Sequence, residues 1–267
     1  LFESDGNATD TLGAGKKGFV VLDATPFYLE AGGQVSDTGN LIAPDSKVEV
    51  RDVVRPLTGW PRLHAVTVSD GILHVGDNAS ATVNVKKRDD IRRNHTATHL
   101  LHAALRSVLG SHVKQAGSLV SPGRLRFDVS HYEPITDEQL LKIEQIVNTR
   151  IIENQTVTTE ERPTSEAIED GAMALFGEKY GDRVRVVSVP GVSIELCGGT
   201  HCVATGDIGT FVITQEGGVA AGVRRIEAVT GGRAICLVQE RQATLTGMLQ
   251  VLGTTTDEAL PALTKLQ

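Results

Sequence analysis

Residues 88–109 read Arg88-Asp-Asp-Ile-Arg-Arg-Asn-His95-Thr-Ala-Thr-His99-Leu-Leu-His102-Ala-Ala-Leu-Arg-Ser-Val-Leu109, and Gly110 follows. Apolar residues at 101, 104, 105, 108 and 109 repeat as i, i+3, i+4, i+7, i+8, the stripe of an amphipathic helix that Gly110 is suited to end. Residues four apart share a helix face, so His95 and His99 present two imidazoles to one point. Position 96 is threonine, so the general-base glutamate of an H-E-x-x-H peptidase is missing.

A second pair lies far downstream in Cys197-Gly-Gly-Thr-His201. In a strand leading to it, Val192, Ile194 and Leu196 alternate inward, while Ser193, Glu195 and Cys197 share the opposite face. Gly198-Gly199 can fold the chain back sharply, returning His201 to Cys197. Three imidazoles and one thiolate form a donor set that zinc prefers, in tetrahedral geometry. The same closed set suits a zinc that only ties helix to sheet. Cys202 points the other way and is a bystander; Cys236 is expected to be a small buried apolar residue.

Working outward, the 267 residues suffice for two domains that each bury a core. With 26 Lys plus Arg against 33 Asp plus Glu, the net charge is −7, which disfavours broad nonspecific binding to nucleic acid but leaves room for a local basic patch. Three cysteines are too few for a disulfide framework, and no apolar run approaches the roughly 18–20 residues of a membrane span. A soluble, cytoplasmic chain is expected. It has no initial methionine and no signal-peptide pattern, and it stops at Leu266-Gln267 in a helical stretch, which suggests a piece of something longer.

Three units are expected. Residues 1–87 form a small, mostly β unit resembling a barrel, with strands at Phe19–Leu22, Val48–Val53 and Asn78–Val85 separated by Gly32-Gly33 and Asp37-Thr38-Gly39. Residues 88–232 form an α+β domain of helices on an antiparallel sheet. It includes a helix over Thr136–Asn154, with a Thr136-x-x-Gln139 capping box and Leu140, Ile143, Val147 and Ile151 on one side. A shorter helix over Ser165–Phe176, ending at Gly177, precedes strands at Arg183–Val189, Val192–Cys197, Gly209–Thr214 and Gly222–Val229. Residues 233–267 begin a helical arm through Ala234, Leu237, Val238, Leu245, Met248 and Leu249, with a second helical start after Thr254–Asp257.

Together, His95-Thr-Ala-Thr-His99-Leu-Leu-His102, Cys197-Gly-Gly-Thr-His201 and Ala221-Gly-Val-Arg-Arg-Ile-Glu-Ala-Val-Thr-Gly231 resemble the editing region of alanyl-tRNA synthetases. Phe27-Tyr-Leu-Glu-Ala-Gly-Gly-Gln34 with Asp37-Thr-Gly39 is similar to the glycine-rich signature of the accompanying β domain, departing only at Ala31, so the likeness covers nearly the whole chain. The resemblance implies one zinc per chain, held by His95, His99, Cys197 and His201, with Cys197 and Gln115 as the catalytic residues. Gln115 would orient the seryl or glycyl group or the attacking water. It implies hydrolysis of Ser-tRNA(Ala) and Gly-tRNA(Ala). ATP-binding motifs of an aminoacylation domain are absent from these residues, so no charging is expected.

The implied partners are mischarged tRNA(Ala) and the rest of the synthetase, with no membrane. Arg224, Gly32 and Gly33 are candidates for tRNA contact; Arg224 could equally pair with Glu227. The basic cluster Lys86, Lys87, Arg88, Arg92 and Arg93 reads as a solvated helix start or a phosphate patch. His102, one turn beyond His99, is expected to support the ligands without joining them, and His64, His74 and His131 are expected at the surface. Two rival readings are a freestanding deacylase of the same superfamily and a noncatalytic, zinc-stabilised tRNA-binding module.

Overall fold

A computed structural model describes residues 1–57, 59–173 and 181–265. The histidine-bearing segment is helix α1, Val85–Leu109. Asn84 caps it by accepting from Lys87 N at 3.0 Å, which moves its start ahead of the position the apolar stripe suggests. Gly110 ends it with φ 116°, a backbone angle that side chains disfavour.

Before α1 lie β1 (Phe2–Glu3), β2 (Thr11–Gly13), β3 (Lys17–Val20), β4 (Gly39–Ala43), β5 (Ser46–Val54), β6 (Leu63–His74) and β7 (Ser80–Val83). They form one antiparallel sheet in the order β1-β3-β6-β5-β4-β7, with β2 also on β6. Alternate residues such as Leu41, Val48, Val50, Val66 and Val68 build its core. The expected barrel does not close: among the described residues β1 and β7 stand at opposite ends of the order and do not pair. β1 pairs through only two residues and β7 through four, too few ladder bonds to draw the sheet round, and the chain leaves β7 directly into α1.

His64 also departs from expectation. It is fully buried, with Nδ1 placed to donate to Val20 O at 3.0 Å and Nε2 to accept from the Thr25 hydroxyl at 2.8 Å. A neutral imidazole satisfied at both nitrogens can be buried at low cost. Burial lowers its pKa from the ordinary 6.5, the bond to Val20 opposes this, and Arg62 adds to the lowering. The unfolded chain therefore binds more protons than the folded one below pH 6.5, and stability falls as pH falls through that range. Denaturant unfolding from pH 8 to pH 5 is expected to show this loss in the native protein and a shallower one in His64→Gln. Parallel curves would contradict it.

After α1 come β8 (Gln115–Val120), β9 (Leu125–Ser130), α2 (Asp137–Ile152), β10 (Thr158–Pro163), α3 (Thr164–Glu169), β11 (Arg183–Val189), β12 (Ser193–Leu196), β13 (Phe211–Ala220), β14 (Val223–Thr230), α4 (Gly231–Leu252) and α5 (Ala259–Thr264). They give mixed helix and antiparallel sheet as expected, but in two sheets, β13-β14-β9-β8 and β10-β11-β12. Leu101 and Leu105 of α1, Ile143 and Val147 of α2, and Phe127, Phe211 and Ile226 of the four-stranded sheet share one core. The capping box of α2 is present, with Thr136 N donating to Gln139 Oε1 at 2.9 Å and Gln139 N to Thr136 Oγ1 at 3.2 Å. The third helix stops at Glu169, short of the expected end at Phe176, because Gly171 takes φ 85° and Met173 bridges to Glu195 of β12; Phe176 and Gly177 themselves lie outside the described residues.

Strands β8 and β10 lack clear signals in the sequence: β8 contains Gly117 and Ser118, while β10 reads Thr-Thr-Glu-Glu-Arg-Pro, an edge strand paired only with β11. On β12 Leu196 is buried as expected, but the polar face is buried as well. Ser193 and Glu195 are buried and Ile194 is 36% exposed, because the polar face packs against α1. Helix α4 buries only Gly231 and Ala234, and Cys236 is exposed on it, contrary to expectation. No helix among the described residues is long and apolar enough to cross a membrane.

The glycine-rich segment 28–37 is fastened to both α1 and β8. Asp37, its side chain 1% exposed, is ion-paired with Arg88 of α1 and accepts from Tyr28 N at 2.6 Å. Gly33 has φ 82°, and a Cβ there would overlap the Ser118 carbonyl. This close approach lets Val120 N donate to Gly33 O at 2.7 Å and Val35 N to Val120 O at 3.0 Å.

Candidate metal centre

His95 and His99 lie on the buried side of α1, facing the end of β12. Cys197 follows that strand directly, its N–H bonded to Arg185 O at 2.9 Å, and the Gly198-Gly199-Thr200 turn brings His201 back. Each of the four residues offers one donor atom, and these atoms lie within 4.8 Å of one another. Cys197 Sγ is 3.4 Å from His95 Nε2 and 3.2 Å from His201 Nε2. The four residues that the two sequence motifs supply are thus one group able to hold a metal ion.

The far nitrogens are engaged too. His95 Nδ1 is 2.7 Å from Gln34 Oε1, and His201 Nδ1 is 3.2 Å from Thr96 Oγ1. His99 Nδ1 faces Glu195 Oε2 at 3.1 Å, the separation of an ion pair without the alignment of a hydrogen bond. Glu195 in turn accepts from Ser193 Oγ at 2.9 Å and faces His102 Nδ1 at 3.3 Å. His102 therefore backs the cluster from one turn away. With the Gln34 carbonyl accepting at Nδ1, the His95 imidazole keeps Nε2 unprotonated and turned toward Cys197, the arrangement that metal-binding histidines favour, and His201 likewise turns Nε2 to Cys197.

Burial opposes ionisation of Cys197, but the facing imidazoles of His95, His201 and His99 outweigh it and hold the thiol well below its ordinary value. For Glu195 burial acts upward, and the adjoining His99 and His102 win, keeping it an anion. His99 is raised despite burial, because Glu195 faces it. His201 is pushed down to about 3, first by burial and then by His95. The cluster thus combines a ready thiolate with a neutral imidazole.

A cavity of about 330 Å³ opens beside the cluster, and His95, His99, Cys197, Glu195, Gln115 and Gly32 all line it. Gln115 stands at the head of β8, so the structure brings it to the same space as the histidines and Cys197. Gly32 has φ 58°, and a Cβ there would meet open space; Gly33 docks on β8 instead of lining the cavity. Arg183 and Arg185 of β11 form another wall. Arg185 donates to Cys197 O at 3.3 Å and also to Gly199 O, holding the turn.

Arg224 does not line the cavity and pairs with Glu216 at 2.6 Å across β13 and β14; Glu227 pairs with Arg124 at 3.0 Å. Arg225 pairs with Asp128 at 2.7 Å. At the start of α1, Lys86, Arg88, Arg92 and Arg93 are each matched by an aspartate. His131 stacks on His112, with 3.0 Å between ring nitrogens, and His74 is exposed. The sequence reading assigned no role at the site to Gln34, Thr96, Arg183 or Arg185. Glu195 was legible as sharing a strand face with Cys197.

Residues 184–227 match the family model described as the threonyl and alanyl tRNA synthetase second additional domain, and residues 1–87 match class II (A) tRNA synthetases. An alanine–tRNA ligase of Bordetella avium is 52% identical over 241 residues, 90% of this chain and 27% of that protein. Another from Pseudomonas syringae is 51% identical over 261 residues, covering 97% of this chain and 30% of its own length. A third, from Listeria welshimeri, is 50% identical over 263 residues, 98% of this chain and 30% of the relative. The chain thus spans less than a third of the length of these relatives. With both its N-terminal sheet and its Cys197-bearing segment matched, and about half its residues shared along nearly its whole length, the chain belongs to the alanyl-tRNA synthetase family.

Proposed function

We propose that this chain is the editing region of an alanyl-tRNA synthetase, hydrolysing the aminoacyl ester of tRNA(Ala) mischarged with serine or glycine. The observation that carries this reading is the shared cavity: Gln115 opens onto the same space as His95, His99 and Cys197. The need for such a site is physical, because one methyl group is worth only about 1–3 kcal/mol of discrimination and an apolar pocket rejects an added hydroxyl no better, so a site built for alanine admits glycine and serine.

Zinc suits the chemistry of the four donors, three imidazoles and a thiolate within 4.8 Å of one another. Bond lengths of about 2.0–2.1 Å to imidazole and 2.3 Å to thiolate imply nitrogen–sulfur edges of about 3.5 Å in a tetrahedron. The separations of 3.2 and 3.4 Å around Cys197 Sγ are close to that edge. His95, His99, Cys197 and His201 would hold one zinc, and Gln34, Glu195 and Thr96 would orient the three imidazoles. Bound there, zinc supplies positive charge that can polarise an ester carbonyl or engage the substrate's amino group.

The chain's own residues do the rest. The Gln115 carboxamide carries both donor and acceptor, suited to orienting the attacking water or the seryl group. Gly32, lacking a side chain, leaves its wall open for a nucleotide backbone, and Arg183 adds positive charge beside it. Gly33 shapes that wall by docking on β8, and Arg224 is assigned to phosphate contact outside the cavity, exchanging Glu216 for tRNA. We assign residues 1–87 to the accompanying β domain, 88–232 to the editing domain and 233–267 to the start of a helical arm, in a cytoplasmic synthetase whose other domains help to hold the tRNA.

Gln115→His tests the catalytic reading. We expect one zinc per chain to remain and hydrolysis of Ser-tRNA(Ala) to fall about a hundredfold, the scale of losing one preorganised hydrogen-bonding group. Unchanged hydrolysis would overturn the role of Gln115. A second reading, a zinc-stabilised tRNA-binding module, is favoured by one feature: four protein donors leave no open metal position. In that case removing the metal unfolds the chain and replacing Gln115 changes nothing.

A further inference from the structure

We propose that Gln34 is the positioning residue through which the N-terminal sheet sets the metal centre. The inference rests on the zinc reading above. Gln34 is fully buried, 61 positions from His95 and 166 from Thr200. Its Oε1 accepts from His95 Nδ1 at 2.7 Å and from Thr200 N at 2.8 Å, while Nε2 donates to Thr200 Oγ1 at 3.0 Å. One carboxamide thus fixes the ring of one ligand and the turn that carries two others. A buried amide with three well-formed bonds is costly to disturb, because each orphaned partner would lose its bond without regaining water.

The backbone of Gln34 is equally constrained. Its neighbours on both sides are bonded to Val120 of β8, Gly33 O accepting from Val120 N and Val35 N donating to Val120 O. Three residues on, Asp37 is ion-paired with Arg88 of α1, the helix that also carries His95 and His99. The glycine-rich segment is therefore a strap whose side chain points at His95 and whose backbone is clamped to the strand carrying Gln115. Binding at the metal and docking of the strap become linked: whatever fixes His95 favours the docked strap, and the docked strap favours metal by the same factor.

The test compares the native chain with Gln34→Met, which keeps bulk but cannot accept or donate, and with Gln34→Glu, which keeps the acceptor for His95 and Thr200. Zinc affinity is measured by competition with a chromophoric chelator. Amide exchange at Val35 and Val120 is measured with and without zinc. Gln34→Met is expected to bind zinc about 10–100-fold more weakly, the usual cost of losing an outer partner, and Gln34→Glu to stay near native affinity. Zinc should slow exchange at Val35 and Val120 in the native chain and in Gln34→Glu, but not in Gln34→Met. Should Gln34→Met fail to fold, Gln34→Asn, whose amide is too short to reach His95, takes its place with the same expectation. Native affinity and zinc-dependent exchange in Gln34→Met would overturn the inference while leaving the metal centre intact. A native chain that binds no zinc would overturn both.

Discussion

Cys197→Ala is expected to lose bound zinc and ester hydrolysis together. The thiolate lies within 3.4 Å of Nε2 of both His95 and His201, and without it the group reduces to three imidazoles. Loss of a direct ligand should weaken zinc by more than the roughly 10–100-fold that an outer partner costs. Hydrolysis of Ser-tRNA(Ala) should fall by at least about a hundredfold. The fold should survive, because the two large apolar cores are built from other residues. Zinc content and single-turnover hydrolysis on the same sample check the outcome. Full activity in a zinc-free Cys197→Ala protein would remove the metal from the account.

Gly199→Ala is expected to damage the same centre from the side of the turn. A Cβ on Gly199 would overlap the His95 ring and press on Gln34 Oε1. Neither partner can retreat easily, because His95 is buried on α1 and Arg185 holds the Gly199 carbonyl. Overpacking of this kind costs about 1–3 kcal/mol. The expected result is a lower melting temperature and at least tenfold weaker zinc binding. Gly198→Ala, where a Cβ would meet open space, is the control and should bind zinc as the native chain does. Equal zinc affinity in the two variants would contradict the packing argument.

What the sequence made legible was local. The stripe of α1 and the four-residue spacing of His95 and His99 follow from helical period alone. The Gly198-Gly199 turn lies between the two ligands it brings together. Gln115 could be singled out only by resemblance, since the strand it begins, Gln115-Ala-Gly-Ser-Leu-Val, carries weak strand signals. The buried polar face of β12 has a different cause. Leu196 is buried in a small cluster with Ala167, Val184 and Val186, while Ser193 and Glu195 are buried in polar contacts to one another and to the α1 histidines. Both sides of the strand are covered, so apolar alternation could not tell which side faced the site.

Long-range polar pairing was the least legible. No periodicity links Gln34 to His95, and nothing near His64 in sequence announces that Val20 and Thr25 will satisfy both of its nitrogens. The same holds for Arg185, whose bonds to the Cys197 and Gly199 carbonyls depend on the β11–β12 pairing. Closure of the N-terminal sheet failed for a geometric reason: the edge strands are too short to meet, and α1 begins where a closing strand would have to continue.

The most direct test of the central claim is hydrolysis of Ser-tRNA(Ala), Gly-tRNA(Ala) and Ala-tRNA(Ala) by this chain, with zinc measured on the same sample. The account predicts one zinc per chain and rapid loss of the seryl or glycyl ester with the alanyl ester spared. One bound zinc with none of the three esters hydrolysed, even when the remaining synthetase domains are supplied, would contradict it.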